Sequence, residues 1–108
     1  MPDFKDLLNT IKADLITLAK DNFNELKDEI LKDGSAFAKK LQDDVIRWGE
    51  GLAGGHLTPD DVEFLIKAKK DLAEMEALKI AGLSKVKLEK LKASIIDTVI
   101  GSVIKVFA

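Results

Sequence analysis

His56 is the only histidine of the chain, and it follows Gly54-Gly55 and precedes Asp60 and Asp61 by four and five residues. An imidazole beside carboxylates is the smallest set that can serve as a general base or begin a metal site. Here the set is incomplete. One imidazole without any cysteine is too few ligands for zinc, and the Glu-x-x-His pairing of di-iron helical bundles is absent. A single histidine in a glycine-flanked loop also offers no ordinary route to a Ser-His-Asp or Cys-His arrangement. By position, His56 reads as an exposed loop residue near a helix N-terminus.

The acidic pairs fare no better. Side chains of Asp43-Asp44 and of Asp60-Asp61 diverge by about 100° on a helix, so neither pair converges on one substrate atom. Asp60-Asp61 suits the positive end of a helix dipole instead. Asp33-Gly34 lacks the regularly spaced oxygen ligands of a calcium loop. Gly49, Gly51, Gly54 and Gly55 have a superficial likeness to a phosphate cradle, but they follow a helix, no strand precedes them, and no lysine-serine pair ends them. They read as a helix fraying into a loop. No catalytic, cofactor-binding or metal-ligating residue is therefore expected, nor any cofactor, and the protein is not expected to be an enzyme. Its other charges fall in solvated helical pairs such as Asp28 with Lys32 and Glu63 with Lys67.

One basic cluster stands out: Lys79 and the candidate patch Lys85, Lys87, Lys90 and Lys92, with Glu89 as counter-charge. A nucleic-acid reader would add arginines and interleaved aromatics, whereas the single arginine, Arg47, is far away in sequence, so nucleic acid is not the expected partner. The cluster reads as a solvated face, or as lysines suited to an anionic membrane surface because of the apolar run that follows them.

These groups must be carried on helices. Only Pro2 and Pro59 interrupt the chain, and no sustained period-two alternation suggests strands. The first helix opens at the N-cap Asp3 and extends over about residues 3–32, with Phe4, Leu7, Leu8, Ile11, Leu15, Leu18, Leu26 and Ile30 on one face. Asn22 lies near the centre of that face, as a tolerated polar residue or as an amide that sets register in a seam. Asp33-Gly34-Ser35 offers a break before a second helix over residues 35–53. Against a break, the stripe continues in phase through Phe37, Leu41, Val45, Trp48 and Leu52, as in one long kinked helix. Trp48, like Met75, is a core candidate. Thr58, Pro59 and Asp61 then start a third helix over residues 59–81, with Leu57 and Val62 placed as a hydrophobic staple. Its apolar residues fall on two sides, Ala68, Leu72 and Met75 on one, and Val62, Ile66, Ala73 and Ile80 on the other. Gly82 ends it in a Schellman-type turn, and Ser84 caps a fourth helix over residues 85–107.

The fourth helix is apolar on more than one side. Leu88, Leu91, Ile95, Val99 and Val106 make a stripe along its length, the face expected to meet the other helices. Ile96, Ile100, Val103, Ile104 and Phe107 make a second stripe rotated by about 100°. Their isoleucine and valine density gives residues 95–107 strand propensity too, but the helical period of both stripes favours helix. Burying five such side chains is worth on the order of 10 kcal/mol, comparable with the net stability of a whole domain. Three covers suggest themselves: other helices of the same chain, a second copy, or lipid or another protein.

Composition bounds the rest. A chain of 108 residues, 46% hydrophobic and 33% charged, has the balance of a folded soluble protein. Residues 1–60 carry twelve carboxylates against eight basic groups, and residues 61–108 carry seven against nine. The chain opens without a basic or apolar leader. Its C-terminal run of about 15 residues, containing Asp97 and Lys105, is short of the roughly 20 that span a bilayer. With no cysteine, these features make a cytoplasmic location the expectation. The expected fold is all-α: a four-helix, mostly antiparallel irregular bundle forming a single domain over residues 1–108. The expected function is that of a small soluble helical interaction or structural protein. It would self-associate as a homodimer, or dock another helical protein, through the apolar C-terminal helix. The alternative is a peripheral, membrane-surface-binding bundle using the lysine-rich start and apolar end of that helix.

Overall fold

Side-chain caps set where the helices begin. In the computed structural model, which describes residues 2–108 and only the backbone of Asn22, Asp3 accepts a hydrogen bond from the Asp6 N–H at 2.9 Å. Asp6 returns the favour to the Asp3 N–H, closing a capping box ahead of α1 (Phe4–Asn22). The register-setting role considered for Asn22 lies outside the described residues. A short 3₁₀ turn, Asn24–Leu26, reverses the chain into α2 (Lys27–Lys40), so that Leu15 of α1 comes to lie against Gly34 of α2.

Gly34 does not break the chain. It sits inside α2, buried, where a Cβ would come within 2.5 Å of a Leu15 methyl. The glycine is there for close helix approach, not for a turn. The break expected at residues 33–35 occurs about ten residues earlier, where Phe23 leaves helical geometry at φ −145°. A single residue, Leu41, separates α2 from α3 (Gln42–Ala53), and its N–H is shared between the Phe37 and Ala38 carbonyls. The one long kinked helix is thus realised only over residues 27–53.

Thr58 and Asp61 cap each other's backbone at 3.1 and 2.9 Å and open α4 (Pro59–Lys67), with Pro59 in the first turn. The third expected helix does not run unbroken to residue 81. It stops at Lys67, passes through a 3₁₀ turn at Lys70–Leu72, and resumes as the five-residue α5 (Glu76–Ile80). Ala73 and Met75 lie in this interrupted stretch. On a continuous helix they would point about 160° apart, and the irregular segment turns both inward, at 2% and 3% exposure. Met75 takes the left-handed conformation, φ 54°. That costs roughly 1–2 kcal/mol, of the same order as the gain from burying its side chain.

Gly82, at φ 78°, ends α5, and Ser84 accepts from the Lys87 N–H at 3.2 Å to start α6 (Lys85–Phe107). Where four helices were expected, the described residues form six α-helices and no strand. α6 touches α1, α2, α3 and α4. The core gathers on it: Leu7, Ile11 and Leu15 from α1, Ile30 and Phe37 from α2, Val45 from α3, Val62 and Ile66 from α4, and Leu91, Ile95, Val99 and Val103 of α6 itself.

Candidate functional site

The second stripe of α6 is not a free surface. Ile96, Ile100, Val103 and Phe107 are buried within the chain and Ile104 is half-buried. The two stripes meet different neighbours. Ile95 on the first lies against α2 at Gly34, and Phe107 on the second lies against α3 at Gly49. The surplus apolar face is therefore covered from within the chain, which corrects the expectation that these five residues form an interaction surface.

Several polar side chains hold helices together. Asp14 of α1 accepts from the Ser102 hydroxyl at 2.6 Å and from the Lys105 ammonium at 2.8 Å, both on α6. Burial pushes the Asp14 carboxyl up. The two hydrogen bonds and the Lys105 charge outweigh that and hold it below the usual carboxylate range. A shallow cleft lies beside this brace, lined by Asp14, Thr17, Leu18, Asp21, Thr98, Gly101 and Lys105. Ser102 is fully buried, so its hydroxyl is out of reach of a substrate in that cleft. The Asp33 carboxylate of α2 accepts from the Ala77 and Leu78 N–H groups at the start of α5. Lys40 of α2 donates to Glu74 and to the Leu72 carbonyl, and its hydrogen bond and charge hold the Glu74 carboxyl below the usual range.

The residues weighed for chemistry are scattered. His56 is exposed in the α3–α4 loop, Asp44 pairs with Arg47 at 2.7 Å, and Asp61 is used in the Thr58 cap. Among the described residues, no group of three or more histidine, cysteine, aspartate or glutamate side chains is placed to hold a metal ion. Nor is any described helix long and apolar enough to cross a membrane.

The two most exposed large apolar side chains share a corner. Ile80, the last residue of α5, is 87% exposed, and Val86, the second residue of α6, is 73% exposed. They flank the same short turn. Ile80 lies in a shallow groove between α5 and α2 with Ala77, Ala81, Asp28, Glu29 and Lys32. Val86 lies in another on α6 with Lys85, Glu89, Lys90 and Ala93. The basic patch is divided accordingly: Lys85 and Lys90 rim the Val86 groove, and Lys87 turns toward Glu25, 3.9 Å away. Lys92 lines a separate crevice with Lys79, Asp71 and Glu74.

No family model, curated protein or solved structure matches this chain. The corner must be interpreted on its own chemistry. Sequence reasoning missed both of its apolar residues, placing Ile80 with Val62, Ile66 and Ala73 on one apolar side of the third helix and leaving Val86 unassigned. Val86 did carry a signal, because it sits about 180° around the helix from the first α6 stripe, among lysines.

Proposed function

We propose that the protein is a small helical interaction protein that acts by self-association, through the α5–α6 corner and not through the C-terminal stripe. Its main support is the exposure of Ile80 and Val86 on either side of one turn. A large aliphatic side chain gains roughly 1.5–3 kcal/mol when fully covered, and two such residues together are a better docking point than one alone. Phe64 on α4 is also exposed, but of the four residues one helical turn from it three are charged, Asp60, Asp61 and Lys67, and only Ala68 is apolar. The same proposal takes α1, the α2–α3 run, the α4–α5 segment and α6 as the four members of a mostly antiparallel irregular bundle, one domain over residues 1–108. It acts by binding and carries no catalysis.

Light scattering after size exclusion, over a wide range of protein concentration, tests the reading. The expected result is a mass that rises with concentration and a fixed monomer mass for Ile80→Asp and Val86→Asp. A wild-type mass that stays at the monomer throughout would defeat it. One observation favours a second reading, docking on an anionic membrane: Val86 sits between Lys85 and Lys90. Asp28 and Glu29 beside Ile80 oppose it, since they would meet lipid phosphates of like charge. Co-sedimentation with phosphatidylserine vesicles at low and physiological salt reports on that reading.

A further inference from the structure

We infer that the partner of the corner is a second copy of this chain, docked about a two-fold axis through the α5–α6 turn so that Ile80 of each copy enters the Val86 groove of the other. This rests on the self-association reading above and specifies its geometry.

The rims of the two grooves carry opposite net charge. Ile80 is bordered by two carboxylates, Asp28 and Glu29, against one lysine, Lys32. Val86 is bordered by two lysines, Lys85 and Lys90, against one carboxylate, Glu89. Each apolar residue thus stands in a ring whose net charge is opposite to that of the other. The floors are also compatible, since Ala77 and Ala81 in one groove and Ala93 in the other leave room for an incoming branched side chain.

Connectivity makes the match reciprocal. Only residues 81–85 separate Ile80 from Val86, and Gly82 at φ 78° turns the chain between them. In a two-fold interface, if residue i meets residue j of the partner, then j meets the partner's i. An axis near the turn that makes one of these contacts therefore makes its mate as well, acidic rim on basic rim each time. Pairing Ile80 with its own symmetry mate would instead set Asp28 and Glu29 against themselves. Like-charge contact of that kind is how interfaces reject a wrong register. Two large apolar residues per copy make a small interface, so the association is weak and concentration-dependent. Salt weakens it further by screening the exposed rims.

Charge reversal tests the geometry. One variant carries Lys85→Glu and Lys90→Glu, which leaves both grooves acidic; a second carries Asp28→Lys and Glu29→Lys, which leaves both basic. Asp28, Lys85 and Lys90 are exposed and Glu29 is half-buried, and circular dichroism checks that each variant folds. Sedimentation velocity should show each variant alone as a monomer, its association weakened at least about tenfold. An equimolar mixture of the two should regain a dimer, because both contacts are again between opposite charges. The variant with all four changes should also self-associate.

A wild type that dimerises, loses the dimer in Ile80→Asp, and shows no recovery in the mixture overturns this geometry while leaving self-association in place. A wild type and a mixture that both stay monomeric overturn the two together. If the monomer instead sediments with phosphatidylserine vesicles and loses that binding in the Lys85→Glu, Lys90→Glu variant, the corner is a lipid-docking surface and the two-fold pairing is wrong.

Discussion

The Asp33 carboxylate lies 2.8 Å from the Leu78 backbone N–H, so a side chain from the middle of α2 caps the N-terminus of α5. Its other oxygen takes the Ala77 N–H at 2.9 Å. α5 needs this help. It has five residues, no side-chain cap of its own, and a strained left-handed residue, Met75, before it. A helix of that length does not hold itself together in water.

Asp33→Ala should therefore destabilise the protein by about 2 kcal/mol, the range expected when a cap is lost and buried N–H groups are left without a partner. Urea unfolding reads the total, and amide exchange at Leu78 reads the site. Unchanged protection at Leu78 would mean that α5 is held by packing and that the cap is incidental.

Gly49 and Gly101 both lie inside helices, and alanine should act on them in opposite directions. Alanine is favoured over glycine in a helix interior by about 1 kcal/mol. At Gly101 nothing lies within 4 Å of a new Cβ, so Gly101→Ala should stabilise by up to that amount. At Gly49 the Cβ would sit 2.4–2.6 Å from atoms of the Phe107 ring. Phe107 is buried and has little freedom to move. Overpacking of this kind costs about 1–3 kcal/mol, which exceeds the propensity gain, so Gly49→Ala should lower the melting temperature. Equal gains at both sites would show that the Phe107 ring does not pack on α3.

How far the sequence could be read depended on whether a signal was local. The bounds of α6 follow from Ser84, Gly82 and an unbroken helical period, all of them short-range, and the Thr58–Asp61 cap is local in the same way. The break near Gly34 was misplaced because a glycine in a helix has two uses, a turn or a close approach. Only Leu15, nineteen residues away, shows which applies. The two-sided apolar pattern of residues 62–80 did not mark the interruption of the third helix, since α6 is two-sided as well and unbroken. A side chain from α2, not anything within residues 68–75, supplies the cap that makes it stable. As for the candidate site, the size of the second α6 stripe was legible, but its cover was a property of the assembled fold.

Asp14 makes a pH-dependent contribution whose sign follows from its hydrogen bonds. Its folded carboxyl titrates below its ordinary value of about 3.9, so the folded state binds that proton less readily than the unfolded chain does. The stabilisation is complete above the ordinary value and is lost as pH falls through the folded one. Asp14→Asn removes it. Wild type should exceed Asp14→Asn in stability at neutral pH by about 1 kcal/mol or less, given the part-exposed ion pair. That difference should shrink in acid, beginning in the carboxylate range, and at high salt. A difference that stays constant with pH would mean that Lys105 does not reach Asp14 in solution.

Ile100 and Ile80 carry the same side chain, and the fold assigns them opposite fates. Ile100 is 5% exposed in the second stripe of α6, while Ile80 is 87% exposed at the end of α5. An aspartate at position 100 would be an unpaired carboxylate in the core, and it must either take up a proton or open the fold. The expected loss is several kcal/mol, enough to unfold a domain of ordinary stability. An aspartate at position 80 meets water, so monomer stability should change by no more than about 0.5 kcal/mol. Thermal melts of Ile100→Asp and Ile80→Asp in dilute solution make the comparison, with Leu91→Asp on the first stripe as a control expected to unfold. If Ile100→Asp folds as well as wild type, the second stripe is open to solvent. The free surface would then lie along the C-terminal half of α6 instead of at the α5–α6 corner.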